Sequence, residues 1–433
     1  MARLSVIGAG YLGVTHAVCM AHLGHTVTVI DTDHSKLAKL EAGVVPFHEP
    51  ALAEMLKETL ASGRLHFTSS WEDIAKNADI HFLCVGTPQQ ADSGAADLSQ
   101  VRSAVSSLAQ HVTSGVVVGK STVPVGTAAS LADQLGADVH LVWNPEFLRE
   151  GFAVEDTLHP DRIVLGVRNA ADADVVKDVY KETIAARTPV LETDYATAEL
   201  VKVAANAFLA TKISFINAFA DLADTVGADI TALADAIGHD TRIGRRFLNA
   251  GVGFGGGCLP KDIRALHARA TELGVGEQFE FLAAVDAVNE SRRATVVERT
   301  VLALDGQLEH KVIAILGAAF KPDSDDIRDS PALHIAHELA DAGATVKVHD
   351  PVAIPALREK HSTLVLCESI DVALADADIV LHLTEWRDYR EVDPAHAGSL
   401  VRNKMIIDGR NVLDLSAWSA AGWSVTYLGK PGS

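Results

Sequence analysis

Cys258 stands in the segment GFGGGCLPKD, residues 253–262, among four glycines, a proline, a lysine and an aspartate. Such a loop does not pack as a core strand, and its glycines let the backbone approach a ligand closely. Lys261 would favour the thiolate, and Asp262 is suited to orient a water or to hold the loop. Taken alone, Cys258 reads first as a buried structural thiol. Two further pairs have spacing that could do chemistry. Lys202 and Asn206 are four apart in an alanine- and valine-rich stretch; a buried ammonium beside a carboxamide could stabilise an oxyanion, although a lysine here can also snorkel to water. Glu146 and Glu150 are four apart in VWNPEFLREG and would share a face if this were the first turn of a helix. They would then activate or orient water, or form a solvated charge pair.

A ligand that would give these groups work is written at the start of the chain. RLSVIGAGYLGVTHAVCMAHLGHTVTVID passes from a β-rich run through Gly8, Gly10 and Gly13 in GxGxxG spacing to a helical pattern closed by Gly24, and then to a second β-run ending at Asp31. The glycines suit a tight strand-to-helix turn, close approach of N–H groups to a pyrophosphate and close helix-on-strand packing. Asp31 follows Gly8 by 23 positions (31 minus 8), near the roughly 20 expected of a carboxylate on the ribose hydroxyls. It would repel a 2′-phosphate, so NAD is expected rather than NADP. Beside a nicotinamide, a nucleophilic Cys258 traps an aldehyde as a thiohemiacetal, which loses a second hydride to become a thioester that water cleaves.

The elements that position these groups follow from hydrophobic pattern. β-runs at ADIHFLCVGTP and GVVVGKSTVP deliver Thr87 and Thr122 beyond their carboxyl ends, where a cofactor lies in an open parallel sheet; turn capping is the plainer reading of both. The polar segment QQADSGAADLSQ between them suits a mobile loop. From Asp194 to Gly227 the pattern is one long helix, expected to join two domains and to pack against a partner chain. HKVIAILGAAFKPDSDDIRDSPALHIAHELADAGATVKVHDP repeats strand, turn, helix and strand, with Ser330 and Pro331 opening the helix and Gly343 closing it. Its turn carries Lys321 and Arg328 where the first carried glycines, and a later strand, KMIIDGRN, delivers Arg410. Together these suit a phosphate-bearing ligand other than the dinucleotide, although singly each is an ordinary surface charge. His334 and His337 share a helix face without a third ligand, so no metal is expected. The fold class is α/β, with two Rossmann-like doubly wound parallel-sheet domains joined by a long central helix and a helical middle domain. The expected bounds are 1–193 for the NAD-binding domain, 194–300 for the central helical dimerisation domain and 301–433 for the second Rossmann-like domain, which would take that phosphate-bearing ligand.

Charge and cysteine usage exclude several classes. The 433-residue chain has 37 basic and 57 acidic residues, a net charge of −20, so nucleic acid and anionic membrane surfaces are unexpected partners. Its four cysteines lie far apart without CxxC spacing, which disfavours zinc and disulfides and suits the cytoplasm. The apolar start is explained as strand, turn and helix rather than a signal sequence, and no uninterrupted run of 18 apolar residues suggests a membrane span.

The chain resembles the UDP-glucose 6-dehydrogenases of the wider UDP-glucose/GDP-mannose dehydrogenase group over nearly its whole length. The matching blocks, in order, are GAGYLG, GTP, STVPVGT, NPEFLREG, HPDRIVLG, ELVKVAANAFLATKISFINAFADL, DTRIGRRFL, GFGGGCLPKD, LGAAFKPDSDDIRDSP and DGRN. The resemblance implies an NAD-dependent four-electron oxidation of a nucleotide sugar, UDP-glucose, at C6, reducing two NAD. It implies Cys258 as nucleophile, Lys202 and Asn206 at oxyanions, and Thr122, Glu146 and Asp262 in proton transfer and water activation. Gly8, Gly10, Tyr11, Leu12, Gly13, Asp31, Lys36, Thr87, Thr122, Glu150, Lys261 and Arg328 would face the cofactor. Glu146, Phe147, Leu148, Arg149 and Glu150, with Lys202, Asn206, Arg242, Phe247, Gly255, Cys258, Phe320, Lys321 and Arg410, would hold the substrate. Arg242 would come from a neighbouring subunit of a homodimer built on the long helix. One departure is Gly257, where the family often has serine; base and sugar selectivity also stay open, because GGxCLPKDxRAL wording is shared with GDP-mannose 6-dehydrogenases. A single-step 3-hydroxyacid dehydrogenase would need neither Cys258 nor a second Rossmann-like domain, and a non-catalytic NAD sensor would need none of Cys258, Lys202 and Asp262.

Overall fold

The computed structural model describes residues 1–358 and 363–430. The chain divides into two compact units, one of Met1–Ala205 with Arg264–Gly276, the other of Asn206–Ile263 with Glu277–Ser433.

The first unit is built on an eight-stranded sheet. Its strands are β1 (Arg3–Ile7), β2 (Thr26–Ile30), β3 (Leu65–Thr68), β4 (Ile80–Leu83), β5 (Gly115–Gly119), β6 (Val139–Trp143), β7 (Ile163–Gly166) and β8 (Val190–Thr193). The order is β3-β2-β1-β4-β5-β6-β7-β8, and every neighbouring pair is parallel except β6 with β7. Strand order reverses between β1 and β4, the switch point at which doubly wound sheets bind ligands. The helix Tyr11–His22 is buried continuously from Gly13 to Ala21, because it packs on the sheet and against the helices Leu52–Ala61 and Ala153–Leu158. That enclosure explains why VTHAVCMA has no polar face. Leu4, Val6, Val27 and Val29 are fully enclosed, each stabilising the sheet by about 1.5–3 kcal/mol of burial.

The second unit holds a six-stranded, wholly parallel sheet of β9 (Val312–Leu316), β10 (Thr345–His349), β11 (Val365–Cys367), β12 (Ile379–His382), β13 (Met405–Asp408) and β14 (Ser424–Tyr427). The order β11-β10-β9-β12-β13-β14 repeats the topology of the first six strands. Its first crossover helix, Pro331–Asp341, starts as its sequence requires: the Ser330 hydroxyl accepts from Leu333 N–H at 3.4 Å, with Pro331 next to it. Gly343 then takes φ +98° beyond the helix end.

Two helices contribute to both units. Tyr195–Val226 gives residues up to Ala205 to the first and from Asn206 to the second; Leu259–Glu272 gives its start to the second and its end, from Arg264, to the first. Asp194 opens the long helix by accepting from Thr197 N–H at 2.8 Å, and Gly227 (φ +71°) follows its end. By length and hydropathy this helix alone among the described residues could cross a bilayer. Its buried Glu199, Lys202, Asn206 and Asn217 are instead hydrogen-bonded or ion-paired to protein groups, as in the core helix of a folded domain.

Candidate active site

In the first unit the three glycines of GAGYLG have distinct surroundings. Gly8 takes φ +100°, a left-handed conformation that side chains disfavour. A Cβ at Gly13 would lie 1.9 Å from the Gly8 carbonyl, so only glycine lets the helix come this close to β1. A Cβ at Gly10 meets nothing within 4 Å: the space over the helix N-terminus is open, as a pyrophosphate requires. Asp31, directly after β2, accepts from Ala9 N–H at 2.7 Å and Asp33 N–H at 2.9 Å, with the Lys36 ammonium 3.4 Å away. These residues fit a dinucleotide whose ribose diol bonds the remaining lone pairs of Asp31. Tyr11 and Leu12 form the first turn of the helix that follows.

Beyond β4 and β5, the Thr87 hydroxyl donates to the Thr122 carbonyl at 2.8 Å, tying the two strand ends together. Within the segment between them, Gln89 forms a bridge with Ala96, and Asp97 N–H donates to the Pro88 carbonyl at 2.7 Å. Glu199, which pattern reading passed over as one more helix charge, holds the turn after Thr122. Its carboxylate accepts from Gly126 and Ala128 N–H at 2.7 and 2.6 Å, and burial raises its pKa.

Glu146 and Glu150 do not share a helix face. Residues 144–150 are irregular, since Asn144 and Pro145 end β6 and the next helix starts at Ala153. Glu146 instead reaches Lys202 at 2.9 Å and accepts from Leu148 N–H at 2.7 Å. Lys202 is buried and does not snorkel; its ammonium also lies 5.6 Å from the Phe147 ring centre. Arg149 is turned to Asp156, with Nη2 2.6 Å from the carboxylate, and Glu150 sits in the turn that follows. Behind them Lys120 is buried on Asn144 Oδ1 at 3.0 Å, and desolvation lowers its pKa.

In the second unit Cys258 is exposed, whereas Cys19, Cys84 and Cys367 are buried, the thiols of Cys19 and Cys84 being pushed up to about 12 by burial. Cys258 opens the helix Leu259–Glu272: its carbonyl accepts from Asp262 N–H at 2.9 Å, placing the residue at the positive end of the helix dipole. The Asp262 carboxylate is buried, accepts from Asn206 Nδ2 at 2.6 Å and pairs with Lys261.

The glycine loop before Cys258 is laid against FKPDSDDIRDSP. A Cβ at Gly255 would lie 2.3 Å from the Asp329 carbonyl, at Gly256 2.8 Å from the Phe320 ring, and at Gly257 2.3 Å from the Arg328 guanidinium. Gly257 therefore provides room for Arg328 that a side chain would fill. Arg328 is held by Asp326, with Nη2 2.7 Å away, and Asp326 also accepts from Gly257 N–H at 3.3 Å. Arg410 donates to the carbonyls of Gly253, Phe320 and Leu383 at 3.2, 3.1 and 2.7 Å, and Lys321 Nζ lies 5.4 Å from the Phe320 ring centre. Asn289 clamps Phe254 through both N–H and C=O at 2.7 and 3.0 Å, a role that its place inside a helix did not advertise. Arg242 is largely exposed and pairs with Asp240 at 2.6 Å, and Phe247 is exposed with φ +65°.

The second sheet has an acid where the first has Asp31, but it is already used. Asp350, after β10, accepts from Ala318, Ala319, Val352 and Ala353 N–H at 2.8 to 3.0 Å and from Trp386 Nε1 at 3.3 Å. A Cβ at Gly317 would lie 2.4 Å from Thr384. This turn is filled, in contrast to the open turn at Gly10 in the first sheet.

A doubly wound sheet with an open glycine turn, joined in one chain to a second Rossmann-like sheet, is the architecture of a two-Rossmann NAD-dependent dehydrogenase. Family models match residues 2–184 as the NAD binding domain, 196–291 as the central domain and 314–415 as the UDP binding domain of the UDP-glucose/GDP-mannose dehydrogenase family. The chain belongs to that family, and its substrate is a nucleotide sugar. It is 39% identical to UDP-glucose 6-dehydrogenase TuaD of Bacillus subtilis (strain 168), over 100% of this chain and 94% of the relative. It is 38% identical to UDP-glucose 6-dehydrogenase of Rickettsia felis, over 99% and 96%. Among solved structures, a UDP-glucose dehydrogenase from Pyrobaculum islandicum superposes with a TM-score of 0.91 at 38% identity, covering 100% of this chain and 98% of that one.

Proposed function

We propose that the protein oxidises UDP-glucose at C6 to UDP-glucuronate in two successive two-electron steps on one active site. The observation that carries this reading is the contrast among its thiols: Cys258 alone of the four cysteines is exposed, at a helix N-terminus one turn before a buried Asp262. NAD, when bound, accepts one hydride in each oxidation. In the first step the C6 hydroxyl gives up its proton through water held by Glu146 and Thr122, leaving the aldehyde. The Cys258 sulfur then adds to the aldehyde carbon, and the resulting oxyanion is stabilised by the Lys202 ammonium and the Asn206 amide. Loss of the second hydride from that thiohemiacetal gives the Cys258 thioester. Water, deprotonated by Asp262, attacks the acyl carbon, and the carbon–sulfur bond breaks to return the thiol. One alcohol and one water become one carboxylate, with two hydrides and three protons released.

Gly8, Gly10, Tyr11, Leu12, Gly13, Asp31, Lys36 and Thr87 serve the dinucleotide in this reading, with Glu150, Lys261 and Arg328 near the nicotinamide end. Phe147, Leu148, Arg149, Gly255, Phe320, Lys321 and Arg410 hold the sugar and diphosphate. Full-length identity to two UDP-glucose 6-dehydrogenases supports glucose over mannose and uridine over guanosine. Assay of both sugar nucleotides tests this: turnover restricted to GDP-mannose would move the chain to the sister branch.

The working protein is proposed to be a homodimer. Leu200, Phe208, Phe215, Leu222 and Val226 are exposed along the long helix at spacings of eight, seven, seven and four residues, a stripe that a second copy would cover. An exposed Arg242 is then available to the partner's substrate. Light scattering checks the mass, and a monomer at micromolar concentration would contradict it. Cytoplasmic residence fits an enzyme that needs Cys258 reduced and NAD at hand.

A further inference from the structure

The buried carboxylate of Glu49 joins two segments that the mechanism uses separately. One oxygen accepts from Ala153 and Val154 N–H at 2.7 and 3.3 Å; the other accepts from Gly151 N–H at 2.7 Å and from the Tyr11 hydroxyl. The Tyr11 oxygen also accepts from Gly151 N–H at 3.1 Å, and its ring lies 4.7 Å from that of Phe47. Tyr11 is the first residue of the helix after the open Gly10, at the dinucleotide turn. Gly151, at φ +78°, ends the segment of Glu146, Phe147, Leu148, Arg149 and Glu150.

The helix Ala153–Leu158 has Phe152 at its N-cap, which offers no capping side chain, so its first N–H groups are satisfied by Glu49 from 104 residues away. A helix cap alone would not require Tyr11. The same carboxylate oxygen that fixes Gly151 takes the Tyr11 hydroxyl, and burial with the Glu49 charge raises that hydroxyl's pKa, keeping it a donor. A shift of the dinucleotide turn must therefore move the 148–151 turn with it or break a charge-assisted hydrogen bond.

We infer that Glu49 and Tyr11 form a latch whose positioning residue, Glu49, sets the substrate-holding turn against the dinucleotide turn. The inference rests on the UDP-glucose reading for its kinetic arm but not for its binding arm. The test is a double-mutant cycle of Glu49→Gln, Tyr11→Phe and the double variant. Its readouts are KM and kcat for UDP-glucose at saturating NAD, NADH dissociation constants by fluorescence, and melting temperature. Loss of a hydrogen bond to a buried charge predicts a KM for UDP-glucose raised about tenfold in each single variant and an NADH dissociation constant raised about threefold. The double variant should be no worse than Glu49→Gln within about twofold, because the one contact that Tyr11→Phe removes is already lost or weakened by Glu49→Gln. Losses that multiply in the double variant, or a lowered melting temperature with KM and NADH binding unchanged, would overturn the latch and leave a plain helix cap. If Glu49→Gln fails to fold, Tyr11→Phe retains every backbone bond of Glu49 and decides alone: unchanged KM and NADH binding overturn the proposal. If wild-type protein binds NADH but does not turn over UDP-glucose, the substrate reading fails while the NADH cycle still tests the latch.

Discussion

The Lys202 ammonium and the Glu146 carboxylate lie 2.9 Å apart, both nearly enclosed, with Lys202 on the long helix and Glu146 after β6. A pair this buried separates structural from chemical roles, because removing one partner strands the other. Lys202→Met should destabilise the protein by about 3–5 kcal/mol. It should also lower kcat for UDP-glucose by at least about a hundredfold, the scale of one oxyanion donor. Adding Glu146→Gln should restore much of the melting temperature but none of kcat. Recovery of kcat in the double variant would show that Lys202 serves only to neutralise Glu146.

Cys258→Ser should bind UDP-glucose with affinity within about threefold of wild type, since a hydroxyl replaces a thiol of similar shape. It should fail to release UDP-glucuronate, because the serine hydroxyl is a far weaker nucleophile than a thiolate and can form only an oxygen ester, which is cleaved more slowly than a thioester. Product analysis by mass spectrometry checks this, and acid formed at the wild-type rate would sink the covalent route.

Asp31→Ala should raise the NAD dissociation constant about ten- to hundredfold, from loss of a charged acceptor at the ribose. Binding of UDP-glucose alone should stay within about twofold, because the Asp31 carboxylate contacts Ala9 in the dinucleotide turn, Asp33 and Lys36, none of them assigned to the sugar nucleotide. Calorimetric titration of each ligand separates the two, and equal losses would contradict the assignment.

Burial alone would raise the pKa of Asp408 at the end of β13, but the His382 ring and the N–H groups of Leu413 and Arg410 hold it below its ordinary value. A carboxylate depressed in the folded state stabilises fully above its unfolded pKa of about 4 and loses that contribution as pH falls through the lower folded value. Asp408→Asn should therefore lower the melting temperature at pH 7, by an amount equivalent to about 2–3 kcal/mol, and the difference should narrow below pH 4. A difference constant from pH 7 to pH 3 would show that Asp408 carries no such linkage. Because Arg410 follows Asp408 by two residues and bonds Gly253 and Phe320, nucleotide-sugar binding should weaken along with stability.

Much of this architecture was legible from local pattern. Gly8 and Gly13 make the tight strand-to-helix turn and the close packing that their spacing suggested, and Asp194, Ser330, Pro331 and Gly343 bound their helices where capping chemistry placed them. Glu146 and Glu150 were not legible, because i,i+4 spacing has meaning only on a helix and Pro145 keeps this segment irregular. Glu49, Glu199, Asp326 and Asn289 escaped for another reason: each satisfies backbone N–H groups far away in sequence, and no periodicity records that service. Nothing in PFHEP marks Glu49 as buried or as a partner of residues 151–154.

The central claim is that one site performs both oxidations through Cys258, and the most direct measurement is NADH formed per UDP-glucose consumed at limiting sugar nucleotide. The account predicts two NADH per UDP-glucose for the wild-type protein. One NADH, with aldehyde as the product, would leave a nucleotide-sugar dehydrogenase in which Cys258 does not carry the second oxidation, and would contradict the account.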